Sequence, residues 1–377
     1  MKKSKILIVG AFPPENTNIF GGIATSCQGL LKSSFVKQFE LILIDSTQIS
    51  NPSPNLAHRG VIAMRRFSIF LNKLIVCRPS AIVLFTSEGA SLLEKGVMAW
   101  TSRLFHIPVF IFPRGGQILI KVANSNFQRF WISTLMRGAS HCLCQGPAWQ
   151  RFAVRELGLP IERAPIISNW TATSRLLAIA DRRTSTNESN APKLLFLGWL
   201  EREKGIFELL EACQALSALY PFELIIAGRG HAEADARAWV EKKYHFGIVN
   251  FRGWVHGEAL EELFSTSDIL ILPSWAEGLP NAMIEAMAAK LAVVVSSVGN
   301  VPDLITDGRE ALLVPPKEVK PLKLAIERLL VDKIFREELA ARGHAFARDN
   351  FAVEPAVAKL TAVIELTIEE YSHRRKN

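Results

Sequence analysis

Two series of short apolar runs, each run separated from the next by a span long enough for a crossover helix, limit this 377-residue chain to few folds. The first series is Lys5–Val9, Glu40–Asp45, Ala81–Thr86, Val109–Phe112, His141–Cys144 and Pro165–Ser168. The second is Leu194–Leu197, Glu223–Ala227, Ile248–Phe251, Ile269–Leu272, Ala292–Ser296 and Ala311–Val314. Apolar runs spaced this way predict parallel strands with helices on both sheet faces. The polar stretch 181–192 has the composition of a connection. We therefore expect an α/β protein with a domain over 1–180, a linker over 181–192, a second domain over 193–354 and a helical tail over 355–377. Ligands of open α/β sheets bind beyond the carboxyl ends of the strands, so a cleft between the domains is the expected site.

Charge is unevenly placed. Residues 1–182 hold 21 Lys and Arg against 8 Asp and Glu, a net of +13, and residues 183–377 hold 23 against 28, a net of −5. The two sum to the overall +8. Such asymmetry points the first half towards an acidic partner, a membrane surface or a polyanion. Within it, Met64, Phe67, Phe70, Leu71 and Leu74 recur at helical spacing among Arg65, Arg66, Lys73 and Arg78. That pattern fits either a helix lying on an anionic membrane or a domain helix with solvated arginines. No uninterrupted apolar run is long enough to span a bilayer, and the first residues read as a strand rather than a secretory signal. The five cysteines are odd in number and mostly in apolar surroundings, as reduced buried thiols would be. His58, His106 and His141 have no partners visible in sequence and are expected to be structural.

Three loops of the second half follow strands. After Leu194–Leu197 comes Gly198-Trp199-Leu200-Glu201-Arg202-Glu203-Lys204-Gly205, where Lys204 at a helix start suits a phosphate. After Glu223–Ala227 comes Gly228-Arg229-Gly230, which lacks the spacing of a dinucleotide fingerprint. After Ile269–Leu272 comes Ser274-Trp275-Ala276-Glu277-Gly278-Leu279-Pro280-Asn281-Ala282-Met283-Ile284-Glu285. Pro280 suits the first helical position, and the helix start would present free N–H groups to an anion flanked by Glu277 and Glu285. Taken alone, that stretch fits equally a plain corner with two solvated glutamates. No phosphate-loop lysine motif and no Asp-x-Asp occurs, so neither a nucleoside triphosphatase nor a metal-held diphosphate is expected.

The ordered set Phe196–Leu200 with Lys204-Gly205, Ile226–Gly228, Phe251-Arg252-Gly253-Trp254-Val255, Glu277 to Glu285, and Val298–Ile305 with Leu312–Val314 resembles the C-terminal half of glycosyltransferase family 4. These retaining enzymes carry an E-x₇-E pair. The resemblance implies the GT-B fold: two Rossmann-like domains facing a central cleft, with the C-terminal helix returning to the N-terminal, acceptor-binding domain. It implies a nucleotide diphosphate sugar of UDP or GDP type as donor and a lipid-linked or glycan acceptor in polysaccharide or cell-envelope synthesis. No cofactor, metal or nucleic-acid partner is implied. The place implied is the cytoplasm, with peripheral contact at the inner face of an anionic membrane as an added option.

By the same resemblance Glu285 would bond the ribose hydroxyls, Glu277 the donor sugar, and the Gly278-Leu279-Pro280-Asn281 backbone the diphosphate. Lys204 would neutralise its charge, with Gly198, Arg202 and Gly228 alongside, and Phe251–Trp254, including Arg252, would lie against the base. Gly21 and Gly22 resemble an acceptor-side glycine loop. The chain departs from the family at three places: Trp199 replaces a phosphate-binding arginine; in a milder change, Gly299-Asn300-Val301-Pro302-Asp303 stands for the family's Gly-Gly-x-Pro-Glu; and Arg114 stands where many members have an active-site histidine. A permanent cation cannot act as a base. A same-fold epimerase or sugar-phosphate synthase, or a non-catalytic basic lipid-binding module, are the alternatives.

Overall fold

The computed structural model describes residues 3–13, 21–47, 56–183, 191–243 and 249–376. The chain forms two compact units, Met1–Trp170 with Val353–Asn377, and Thr171–Ala352.

The first unit opens with β1 (Lys5–Gly10), α1 (Gly22–Leu31), α2 (Phe35–Gln38), β2 (Glu40–Asp45) and α3 (Leu56–Cys77). It continues with β3 (Ala81–Thr86), α4 (Ala90–Leu104), β4 (Val109–Pro113), α5 (Gln117–Asn124) and α6 (Asn126–Met136). β5 (His141–Cys142) and α7 (Pro147–Arg155) complete its first pass. All pairings are parallel and the strand order is β2-β1-β3-β4-β5. Strands buried on both faces need apolar side chains in continuous runs, and β3 is buried at every position. Alternate strand residues feed two cores. Leu7, Val9, Ile82 and Ile111 meet Phe70, Leu74, Met98 and Met136 of α3, α4 and α6 on one face. Ile6, Ile8, Phe85 and Phe112 face the other, towards α1 and α2.

The second unit begins with α8 (Ser174–Arg182) and β6 (Lys193–Leu197). α9 (Ile206–Ser217), β7 (Glu223–Ala227), α10 (Glu233–Lys243), β8 (Val249–Gly253), α11 (Glu258–Thr266) and β9 (Ile269–Leu272) follow. Then come α12 (Asn281–Ala288), β10 (Ala292–Ser296), α13 (Val301–Leu304), β11 (Leu312–Val314), α14 (Val319–Val331) and α15 (Lys333–Phe351). The last helix, α16 (Val353–Lys376), belongs to the first unit, where Val357, Leu360 and Ile364 join the α1–α2 core. The second sheet runs β11-β10-β9-β6-β7-β8, all parallel. Counted within the unit this is the doubly wound order 3-2-1-4-5-6 read from the far edge.

Several expectations are corrected. The chain passes to the second unit between Trp170 and Thr171, because Leu176, Ile179 and Ala172 pack with Leu263, Phe264 and Met283 of that unit. It leaves between Ala352 and Val353. The linker expected over 181–192 is therefore partly helix α8, and 184–190 lie outside the described residues. Pro165–Ser168 is no strand: only Ile166 bridges, to Cys144, since Pro165 has no N–H and contributes its carbonyl alone. The strand expected from Ile248 is described from Val249. α3 is a domain helix with Phe70 and Leu74 in the core, and Arg66 of its basic set is held by Glu94 at 2.8 Å. Among the described residues no helix is long and apolar enough to cross a membrane.

Candidate functional site

The order of the second sheet reverses between β6 and β9, so the crossovers that leave these neighbouring strands run in opposite directions. In open α/β sheets such a switch point is where ligands bind, beyond the carboxyl ends of the strands. The loop after β6 supplies Lys204 and the loop after β9 supplies Glu277, and Lys204 Nζ lies 2.5 Å from Glu277 Oε1. The pair is half-buried, and the two residues are 73 positions apart in sequence. Two glycines let the loops close this far. Gly205 has φ +73, and a Cβ there would stand 2.1 Å from the Pro273 carbonyl oxygen. Gly299, after β10, has φ +63, and its Cβ would stand 2.1 Å from the Glu277 carbonyl oxygen. A side chain at either position would push the loops apart.

Behind the pair, α12 starts at Asn281 with Pro280 as its cap, one position later than the sequence reading placed the proline. Gly278, Leu279 and Pro280 are buried, so this turn is held by its own packing. Asn300, fully buried, donates its backbone N–H (2.9 Å) and its Nδ2 (3.1 Å) to the Gly278 carbonyl. The start of α12 brings the positive end of its helix dipole to this loop. One turn in, Glu285 is only 9% exposed, and burial pushes its carboxyl up to about 7. Little solvent reaches the carboxyl there, so its charged form is disfavoured.

Trp275 is a hub that the sequence did not announce. Its N–H donates to the Glu203 carbonyl (2.8 Å), its Nε1 to Glu208 (2.9 Å), and the Lys317 ammonium lies 4.6 Å from its ring centroid. Lys317 holds φ +67, a left-handed backbone that disfavours a side chain. Trp199, where an arginine was expected, pairs edge-on with Trp254, ring centroids 4.7 Å apart. The pair makes an aromatic wall across the ends of β6 and β8. Arg202 stacks on Phe207 at 4.7 Å and not against the Lys204–Glu277 pair. Arg252 is exposed at the end of edge strand β8. Gly228 donates its N–H to Gly253 (2.7 Å), while Gly198 donates to Ala227 and has open space above it.

The first unit gathers its own residues. Arg114, after β4, donates to Asn169 Oδ1 and to Ser26 Oγ, both at 2.6 Å, and lies over the Phe112 ring. Burial pushes its guanidinium down to about 10, which leaves it a cation at neutral pH. Ser26 passes this contact on, its hydroxyl donating to the Gly22 carbonyl at 2.9 Å. Gly21 caps α1 and Gly22 begins it, so Arg114 is tied to the glycine loop through one side chain. His141 is structural: it stacks on Phe110 at 4.7 Å, and burial holds it at about 4, so it is neutral.

Residues 179–346 match the family model described as Glycosyl transferases group 1. An uncharacterized glycosyltransferase of Methanocaldococcus jannaschii is 29% identical over 192 residues, 50% of this chain and 48% of the relative. The lipopolysaccharide core biosynthesis glycosyltransferase LpsE of Rhizobium meliloti is 28% identical over 189 residues, 50% of this chain and 54% of the relative. These matches thus span about half the length of the curated relatives. Among solved structures, sucrose-phosphate synthase of Thermosynechococcus elongatus superposes with a TM-score of 0.76 at 16% identity, covering 98% of this chain and 100% of that one. HepE of Anabaena in complex with UDP and glucose gives 0.69 at 16% identity, with 96% and 99% covered. The chain therefore has the GT-B fold, and residues 179–346 carry its likeness to group 1 glycosyl transferases.

Proposed function

We propose that this protein is a retaining glycosyltransferase that moves a hexose from a UDP- or GDP-type nucleotide sugar to a lipid-linked or glycan acceptor in polysaccharide or cell-envelope assembly. The observation that carries the reading is the Lys204–Glu277 pair at the switch point, with the α12 N-terminus beside it and buried Glu285 one turn behind. Lys204 and the helix end supply positive charge where a diphosphate leaves, without a metal. In this reading Glu277 accepts from sugar hydroxyls and Glu285 from a ribose. Trp199 and Trp254, packed edge-on, offer the base an aromatic ring face.

In the transfer, an acceptor hydroxyl oxygen bonds the anomeric carbon as the bond from that carbon to the phosphate oxygen breaks on the same face. The hydroxyl proton passes to the leaving diphosphate, so no protein base is needed. Arg114, a fixed cation tied through Ser26 to the Gly21-Gly22 loop, is the first unit's candidate for orienting an acceptor. An acceptor anchored in lipid would bring the basic first unit to an anionic membrane surface.

The test is transfer with purified protein, a nucleotide-sugar panel and an acceptor glycan. Glu277→Ala is expected to abolish transfer and Glu285→Ala to weaken donor binding, each with an unchanged fold. Wild-type transfer by both variants would defeat the assignment. Release of UDP or GDP only when acceptor is present separates transfer from epimerisation.

A further inference from the structure

The helices α3, α4 and α6 share one face of the first sheet, and their inward sides fill its core. The outward sides of α4 and α6 are unusual. Leu93, Val97, Trp100 and Leu104 are exposed on α4 at spacings of four, three and four, which puts them on a single stripe. Phe127, Phe130 and Trp131 form a second stripe on α6, with ring centroids 6.2 and 6.0 Å apart. Leu104 is 79% exposed, Phe127 71% and Phe130 62%. The two stripes merge because the helices pack closely: a Cβ on Gly96 would stand 2.8 Å from Leu135, and Trp100 Nε1 donates to the Thr134 carbonyl at 2.9 Å. All five exposed Phe and Trp side chains among the described residues lie here, the fifth being Phe105 just past α4. The second unit exposes only Leu219, Leu324, Val331 and Ile334 among its described large hydrophobics, none of them aromatic.

We propose that the joined α4–α6 face is a membrane-docking surface whose partner is the headgroup–acyl boundary of an anionic bilayer. Charge selects that occupant. From residue 46 to 156 the chain carries thirteen Lys and Arg and three carboxylates, Glu88, Glu94 and Glu156. All three are already ion-paired, Glu88 with Lys121, Glu94 with Arg66 and Lys95, and Glu156 with Arg129 of α6. The Arg103 guanidinium lies over Trp100 at 5.4 Å, so a cation sits at the edge of the aromatic patch. Trp and Phe rings rimmed by arginine match the chemistry of a lipid interface, where rings enter the apolar boundary and cations meet phosphates. A second copy of the same face would instead set cation against cation. The surface differs from the α3 stripe singled out in the sequence, half of which is spent on the protein core. It rests on the lipid-linked acceptor proposed above and names where that acceptor's membrane is met.

The test sediments the full chain with vesicles of phosphatidylcholine alone and of equal parts phosphatidylcholine and phosphatidylglycerol. The wild type is expected to partition to the anionic vesicles and to be released as salt rises. The variant Phe127→Ser/Phe130→Ser/Trp131→Ser should lower that partition on the order of tenfold or more, as should the single variant Phe127→Glu. Val331→Ser/Ile334→Ser, in the second unit, should leave it unchanged. Melting temperature and nucleotide-sugar calorimetry should be the same for all. Absence of wild-type binding, or equal binding by the triple variant, overturns the proposal. So does a wild-type dimer that the triple variant dissolves in light scattering, which would make the face a contact between copies. Loss of nucleotide-sugar binding with vesicle binding intact would defeat the proposed transferase instead and leave the surface standing.

Discussion

The Glu285 carboxyl is raised by burial from the ordinary 4.5 to about 7, and this sets a pH-dependent cost on the fold. Between those two values the unfolded chain releases the proton while the folded one keeps it, so stability falls as pH rises through the window and is flat outside it. Glu285→Gln removes the ionisable group. Melting of this variant should match the wild type at pH 4 and exceed it at pH 8, by up to about 3 kcal/mol. The same substitution should weaken donor binding, so stability and affinity move in opposite directions. Lys204 is judged by a different readout. Lys204→Ala should lower the transfer rate on the order of 10²-fold or more with a smaller change in donor affinity, as expected of a charge that acts on the leaving group. Chelation by EDTA should leave the wild-type rate unchanged, because Lys204 and the α12 end meet the diphosphate charge in this account. The sequence named Lys204, Glu277 and Glu285 from their loops, yet it could not pair the first two, since their contact spans 73 positions. Trp275 and Asn300 were missed as holders of the site because their partners lie far off in sequence: Glu203, Glu208 and Lys317 for Trp275, and the Gly278 carbonyl for Asn300.

At the scale of elements, the loops carry the site and the glycines between them set its width. Gly299→Ala would force a Cβ towards the Glu277 carbonyl at a left-handed backbone position. A loss of about 1–3 kcal/mol is expected in denaturant melts, with transfer reduced further because Glu277 moves. The strands were legible because parallel strands buried on both faces must be apolar throughout, and every run of the second series returned as a strand. What misled was polarity. Asp181-Arg182-Arg183 has the look of a linker, but Arg183 is bonded to the carbonyls of Phe264, Ser267, Ala289 and Lys290, the ends of α11 and α12. A polar side chain that closes two helix ends resembles a solvated one until the helices are placed.

For the whole molecule, the second unit enters and leaves at one point: Ala172 bridges Ala352, and its N–H donates to the Phe351 carbonyl at 3.2 Å. No breaker in the sequence marks Trp170-Thr171, so that boundary could only come from packing. A fragment of Thr171–Ala352 contains two complete cores and paired ends. It should fold on its own with a cooperative melt and bind nucleotide sugar, while transferring nothing, since Arg114 and the Gly21-Gly22 loop belong to the other unit.

The central claim is that the second unit's switch-point loops hold a nucleotide diphosphate sugar. Titration calorimetry of the full chain against UDP- and GDP-linked hexoses, repeated with Lys204→Ala and Glu285→Ala, tests it most directly. The account predicts binding of at least one donor, weakened about tenfold or more by each substitution. No binding of any donor by the wild type, or affinities left unchanged by both substitutions, would contradict it.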